Sequence, residues 1–221
     1  MLQTLLNSKG NLSFWDLLLM FFSYAVFILV IIPVHDLVKA FVADKLGDHT
    51  PRWHGCLRFD PFSRLDLFGT LMLVLFGFGF SRPMPINPRN FRNPRRDLAL
   101  TALAGPVSYA LMAALSIALF RILTLLPLSA EVLAIAYVVL IDVFATLSAG
   151  LAVFTILPIP PMDGWRVLSF FLPDRWVDAA ERYSQYISMG LLLLLFTNVL
   201  DLPLFVLRSG LLNVLFKIFG F

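Results

Sequence analysis

The chain has 221 residues, of which 59% are hydrophobic and 14% charged, with a mean hydropathy of +0.85 and a formal net charge of +3. A soluble domain is about half apolar and a quarter charged, so this composition excludes one and points to a chain built for a bilayer. Arginines gathered in loops, with no aromatic-lined basic stripe, argue against a nucleic-acid partner, and a single cysteine, Cys56, excludes an internal disulfide or a cysteine-rich metal site.

The N-terminus does not read as a cleavable signal. Lys9 is its only basic residue, and no small-x-small site follows the apolar run. Ser13 followed by Asp16 resembles a capping box, which predicts a motif-bearing helix over residues 13–47. The uncharged run from Leu17 to Val34 fills a membrane span, so the last turns of this helix must leave the bilayer or be shielded by other helices. Pro33 removes a backbone hydrogen bond just before His35 and is expected to kink the helix where polar residues begin.

Residues 67–80 are free of charge but too short to span, and Gly69, Gly77 and Gly79 weaken them as a helix, which predicts a re-entrant or partly embedded segment. Residues 98–126 and 132–157 are long enough to be core transmembrane helices, and 187–207 forms a C-terminal transmembrane helix. The remainder, 211–221, fits the membrane interface. The expected fold class is an all-α polytopic membrane protein, one membrane domain over 1–221, with about four to five transmembrane helices plus the short re-entrant segment.

Charge orients the chain. Arg82, Arg89, Arg92, Arg95 and Arg96 crowd one loop, and Lys45, Arg52, Arg58 and Arg64 the loop before it, so both face the cytoplasm by the positive-inside rule. The two loops share a side only if 67–80 enters and leaves by one face. Leu128 to Glu131 then forms an outer turn, and the segment Pro158 to Asp163 returns to the side where His35 and Lys39 sit. Cys56, in a cytoplasmic loop, is expected to be open to thiol reagents from that side.

His35-Asp36-Leu37-Val38-Lys39 resembles a zinc-protease pentapeptide with two chemical positions changed. A His-Glu-x-x-His helix places two imidazoles on one face to chelate zinc, while the Glu takes a proton from metal-bound water. Here Lys39 holds the second ligand position, and an ammonium has donors but no lone pair. Asp36 keeps the carboxylate, one methylene shorter.

The order HDLVKAFVADKLGD, INPRNFRNPRR, ALAGP (102–106) and LPIPPMDG (157–164) resembles the compact bacterial members of the site-2 protease family of intramembrane zinc metalloproteases, over residues 30–200. The resemblance implies a site-2-protease-like core. It also implies that His35 and Asp163 stand at metal-ligand positions, that Asp36 stands at the general-base position and that Lys39 replaces the second His ligand. That family usually carries Asn at the positions of Tyr109 and Thr155, where it holds substrate backbone or polarises its carbonyl. Both substrate-contact positions are therefore altered.

Without Lys39, a dry site holding Asp36 and Asp163 would carry unpaired negative charge, which a cation or protonation must relieve. Lys39 is expected to supply that charge as a tethered ammonium, with snorkelling to the interface as the alternative. Pro158, Pro160 and Pro161 break the helix ahead of Asp163. Asp142, within a span, reads as a bundle-facing hydrogen-bonding residue, with a proton relay as the alternative. His49, His54 and Cys56 match no strong zinc spacing and read as loop residues. Leu57 to Phe59 alternates like an edge strand able to pair with an extended peptide.

The reading is a multi-pass cell-membrane protein of the site-2 protease type that has become a pseudoprotease, with no cofactor expected. Its partner would be a transmembrane peptide or another membrane protein. The alternative is an active zinc metalloprotease performing intramembrane proteolysis at an altered site. A third reading is a small transporter component built on Asp142 and Lys39.

Overall fold

The computed structural model describes residues 14–60, 71, 84–197 and 199–221, and every regular element among them is a helix. The re-entrant segment expected over 67–80 lies outside the described residues except for a helical Leu71, as does the cap at Ser13. Helix α1 spans Phe14–Lys45 and runs unbroken through Pro33. A single turn, α2 (Thr50–Trp53), and a 3-10 turn at Pro88–Asn90 lead to α3 (Pro94–Thr124). Pro94 opens α3 because a first-turn proline loses no intrahelical bond, and the Asp97 carboxylate accepts the Asn93 N–H at 2.9 Å.

Helix α4, Ala130–Thr155, starts at Ser129, whose hydroxyl accepts the Val132 N–H. Its centre, Val138–Ala145, is a π-helical segment, and Thr146 Oγ1 donates to the Ile141 carbonyl at 2.9 Å there. Pro158 lies just beyond its end. Four shorter helices follow: α5 (Asp163–Ser169), α6 (Asp174–Arg182), α7 (Ser184–Phe196) and α8 (Asp201–Ile218).

Among the described residues, three helices are long and apolar enough to cross a membrane: Phe21–Lys45 within α1, Pro94–Thr124 and Ala130–Thr155. The expected C-terminal span over 187–207 is instead two helices, because the apolar run breaks at a turn after Phe196. At 13 residues α7 falls short of the roughly 20 that a span needs, and α8 carries Asp201, Arg208 and Lys217.

α1, α3 and α4 pack together. Phe27, Ile28 and Ile31 of α1 meet Tyr109 of α3 and Val143, Leu147 and Leu151 of α4. Helices that meet within lipid gain little hydrophobic drive from contact, and close approach supplies it instead. Ala99, Ala102, Gly105, Ser108 and Ala113 on α3 and Ala145, Ser148, Ala149 and Ala152 on α4 are buried, and these small residues let the backbones close up. α8 seals the far side with Leu212, Leu215 and Phe216 around Ile117, Phe120 and Ile141.

Two loop expectations change. Leu57 to Phe59 is turn and bend rather than an edge strand, since Gly55 reverses the chain at φ +72°. Cys56 is buried with its thiol against the His54 carbonyl, because the same turn folds it under the loop. The loop is held by Asp48, fully buried, whose carboxylate accepts from Thr50 N–H and Oγ1–H, Asn87 N–H and Asn90 Nδ2–H. These bonds tie the end of α1 to the INPRNF stretch.

Candidate functional site

Three helices deliver the candidate site. His35, Asp36 and Lys39 lie on one region of α1, and all three are buried. α3 presents Gly105 and Tyr109, and the turn after α4 presents Asp163 at the start of α5. Gly164 makes this possible: a Cβ there would stand 1.9 Å from the Ile156 carbonyl oxygen, so only glycine lets α5 start against the end of α4. Arg95 pins the other end of α5, donating to the Ser169 carbonyl at 3.0 Å and to Leu172 O, and its guanidinium lies 3.2 Å from Asp174 of α6.

Lys39 Nζ donates to Asp163 Oδ1 at 2.6 Å, joining residues 124 positions apart. The ammonium therefore turns inward, and the snorkelling alternative is set aside. His35 Nδ1 lies 3.1 Å from Asp36 Oδ1. An ionised carboxylate only accepts, so Nδ1–H donates, and the tautomer with that proton carries its lone pair at Nε2. That Nε2 is buried with no hydrogen-bond partner, 3.8 Å from Asp163 Oδ2. Burial alone would raise the Asp163 carboxyl, but the neighbouring His35 and the Lys39 ammonium outweigh it and hold the group below the usual carboxylate range. At 3.8 Å, His35 acts there through proximity and not as a donor.

Tyr109 covers the imidazole. Its ring stacks on His35 with centroids 4.3 Å apart and planes 10° from parallel. Thr155 does not join the cluster: its hydroxyl donates back to the Leu151 and Ala152 carbonyls of its own helix. Gly105 is the site residue that motif reading passed over. A Cβ at that position would lie 2.6 Å from Asp163 Oδ2 and 2.8 Å from His35 Nε2, so the absence of a side chain makes the room in which the cluster meets. The glycine of ALAGP was the available signal.

Zinc is the metal that the pentapeptide calls to mind, and its fit is poor. A catalytic zinc site supplies three protein ligands plus a water. His35 Nε2 and Asp163 are two donors facing one point, but the third position holds an ammonium already bonded to Asp163. Among the described residues no group of three His, Cys, Asp or Glu side chains is placed to hold a metal. Asp36 is engaged by its neighbour's imidazole.

The remaining candidates lie elsewhere. His49 Nδ1 sits 2.8 Å from Asp44, which also takes Arg52 at 2.6 Å, and His54 Nδ1 faces the Thr50 carbonyl at 2.9 Å. Asp142, expected to face the bundle, is exposed; Ile141, Val143 and Ala145 hold the core side of the π segment and leave Asp142 turned outward.

No protein-family model and no solved structure matches the chain. The chain is 34% identical over 184 residues to the protein named "Putative zinc metalloprotease YwhC" of Bacillus subtilis (strain 168), covering 81% of each. With the HDLVK helix, the DG turn and this likeness taken together, the chain belongs to the metalloprotease family of YwhC.

Proposed function

We propose that the chain is a multi-pass cell-membrane protein of the site-2 protease type whose cleft has given up proteolysis and serves to bind a membrane-spanning segment of a partner. The observation that carries this reading is the 2.6 Å contact between Lys39 Nζ and Asp163 Oδ1. A tethered ammonium supplies there the positive charge that a divalent ion supplies in a working site. It also occupies a carboxylate oxygen that a metal would need. An ammonium neither lowers the pKa of a bound water as a metal does nor gains an open coordination position, so the nucleophile of a metalloprotease is not generated. Tyr109 over His35 closes the imidazole face against substrate as well.

One observation favours a second reading, an active protease with an altered site: the orphaned Nε2 of His35 points at Asp163 like a ligand in waiting. Zinc content and cleavage separate the two. Purified wild type is expected to hold no stoichiometric zinc and to leave a model transmembrane substrate intact. Lys39→His with Asp36→Glu is expected to recover zinc binding, lost again on adding Asp163→Ala. Zinc-dependent cleavage by wild type, abolished by His35→Ala, would overturn the proposal and establish the second reading.

A further inference from the structure

A second polar feature lies away from the HDLVK cluster. Asp142 stands at the midpoint of the 26-residue helix α4 and is, apart from Glu131 at the outer end, that helix's one charged residue. It faces out of the bundle and makes no hydrogen bond or ion pair with any described residue. A carboxylate at mid-membrane depth on a helix face that no described residue pairs is costly and is relieved by a cation, a donor or protonation. The π segment Val138–Ala145 puts it there: widening the turn shifts the register, so Ile141, Val143 and Ala145 stay buried while Asp142 leaves the core face. Such segments often mark functional positions in helices.

The charged and titratable neighbours do not satisfy it. Arg208 of α8 lays its stem on Gly150, with Cδ 3.6 Å from where a Cβ would stand, and its guanidinium lies over the Phe205 ring at 5.6 Å. Gly150 is eight residues beyond Asp142, about 12 Å along the helix. Tyr24 of α1 lies within electrostatic reach of both Arg208 and Asp142 and is itself buried in the α1–α4 contact. Ile135, two turns before Asp142 on the same helix, is exposed and apolar.

We infer that Asp142 is the docking point for a partner's membrane-spanning helix that carries a lysine or arginine at mid-membrane depth. Charge complementarity selects this occupant: lipid tails offer no cation, and a neutral helix would bury the carboxylate unpaired. A cationic helix satisfies Asp142 and packs its apolar residues on the surrounding face. This inference rests on the proposed membrane-embedded, partner-binding role, and it places recognition outside the old cleft.

The test uses the full-length protein in liposomes, with energy transfer to labelled Leu/Ala model helices bearing a central Lys, a central Glu, or neither. Wild type should bind the Lys helix about tenfold more tightly than the neutral one. Asp142→Asn should erase that difference, and Asp142→Lys should transfer the preference to the Glu helix. Equal binding of the Lys and neutral helices by wild type overturns the inference. So does self-association of wild type that depends on Asp142 and excludes the Lys helix, which would give the face to a second copy. Zinc content and cleavage should be the same in Asp142→Asn as in wild type, so a protease-active result would defeat the proposed function without touching this one.

Discussion

The imidazole of His35 and the phenol ring of Tyr109 lie face to face, 4.3 Å between centroids, with Tyr109 itself buried in the α1–α3–α4 contact. The tyrosine therefore does two things at once: it fills the core and roofs the site. Removing the ring in Tyr109→Ala leaves a void of about 100 Å³; for the proposed membrane protein, where lipid offers no opposing transfer term, the cost is the cavity term alone, about 2 kcal/mol. Tyr109→Phe keeps the stack and should stay within about 1 kcal/mol of wild type. Unfolding in mixed detergent micelles measures both.

Lys39 and Asp163 form a buried pair, and removing one partner strands the other's charge. Lys39→Met should destabilise by about 3–5 kcal/mol, as should Asp163→Leu alone. The double variant Lys39→Met/Asp163→Leu should recover most of the loss, because no buried charge remains. A double-mutant cycle by denaturant unfolding checks this; additive losses in the double variant would mean the two groups do not depend on each other.

Gly105 should tolerate nothing larger. Gly105→Ala drives a methyl against Asp163 Oδ2 and His35 Nε2 and should cost about 1–3 kcal/mol while displacing the ion pair. Gly190→Ala on α7 is the control, since nothing lies within 4 Å of its added Cβ; it should be neutral or stabilising by up to about 1 kcal/mol. Thermal denaturation of the two variants side by side reads the contrast.

Asp48 makes the α1 end pH-sensitive. Burial would raise its carboxyl, but hydrogen bonds from Thr50, Asn90 and Asn87 outweigh that and hold it below the ordinary carboxylate range. A folded-state pKa below the unfolded one contributes stability that is fully present above the unfolded value, about 3.9, and is lost as pH falls through the folded value. Hydrogen exchange of the Asn87 and Asn90 amides should therefore rise on acidification below about pH 4. Asp48→Asn should show that rise at neutral pH.

Topology is read with engineered cysteines, because Cys56 is buried. In a Cys56→Ser background, Trp53→Cys should react with an impermeant maleimide only in inverted vesicles, and Glu131→Cys in intact cells. The opposite pattern would reverse the orientation assigned from the arginine-rich loops.

Sequence by itself determined what depends on local chemistry. The long uncharged apolar runs at 17–34, 98–120 and 132–141 mark helices of membrane length among the described residues, and Pro158 marks the end of one because it acts on its own backbone. The identities at 35, 36, 39 and 163 were visible for the same reason: a lysine lacks a lone pair in any fold. Tertiary structure decided which groups meet. Lys39 finds Asp163 rather than water only because α5 docks at the end of α4, and that docking depends on the bare backbone at Gly164 and Gly105. Spacing along a chain carries no record of clearance between helices, so the role of Gly105 and the roof made by Tyr109 appear only in three dimensions. Asp142 faced outward against expectation because a π turn changes helical register, and hydropathy, averaged over a window, is blind to one residue's direction. The apolar run over 187–207 hid a turn for a related reason: leucines fill two packed short helices as readily as one long span.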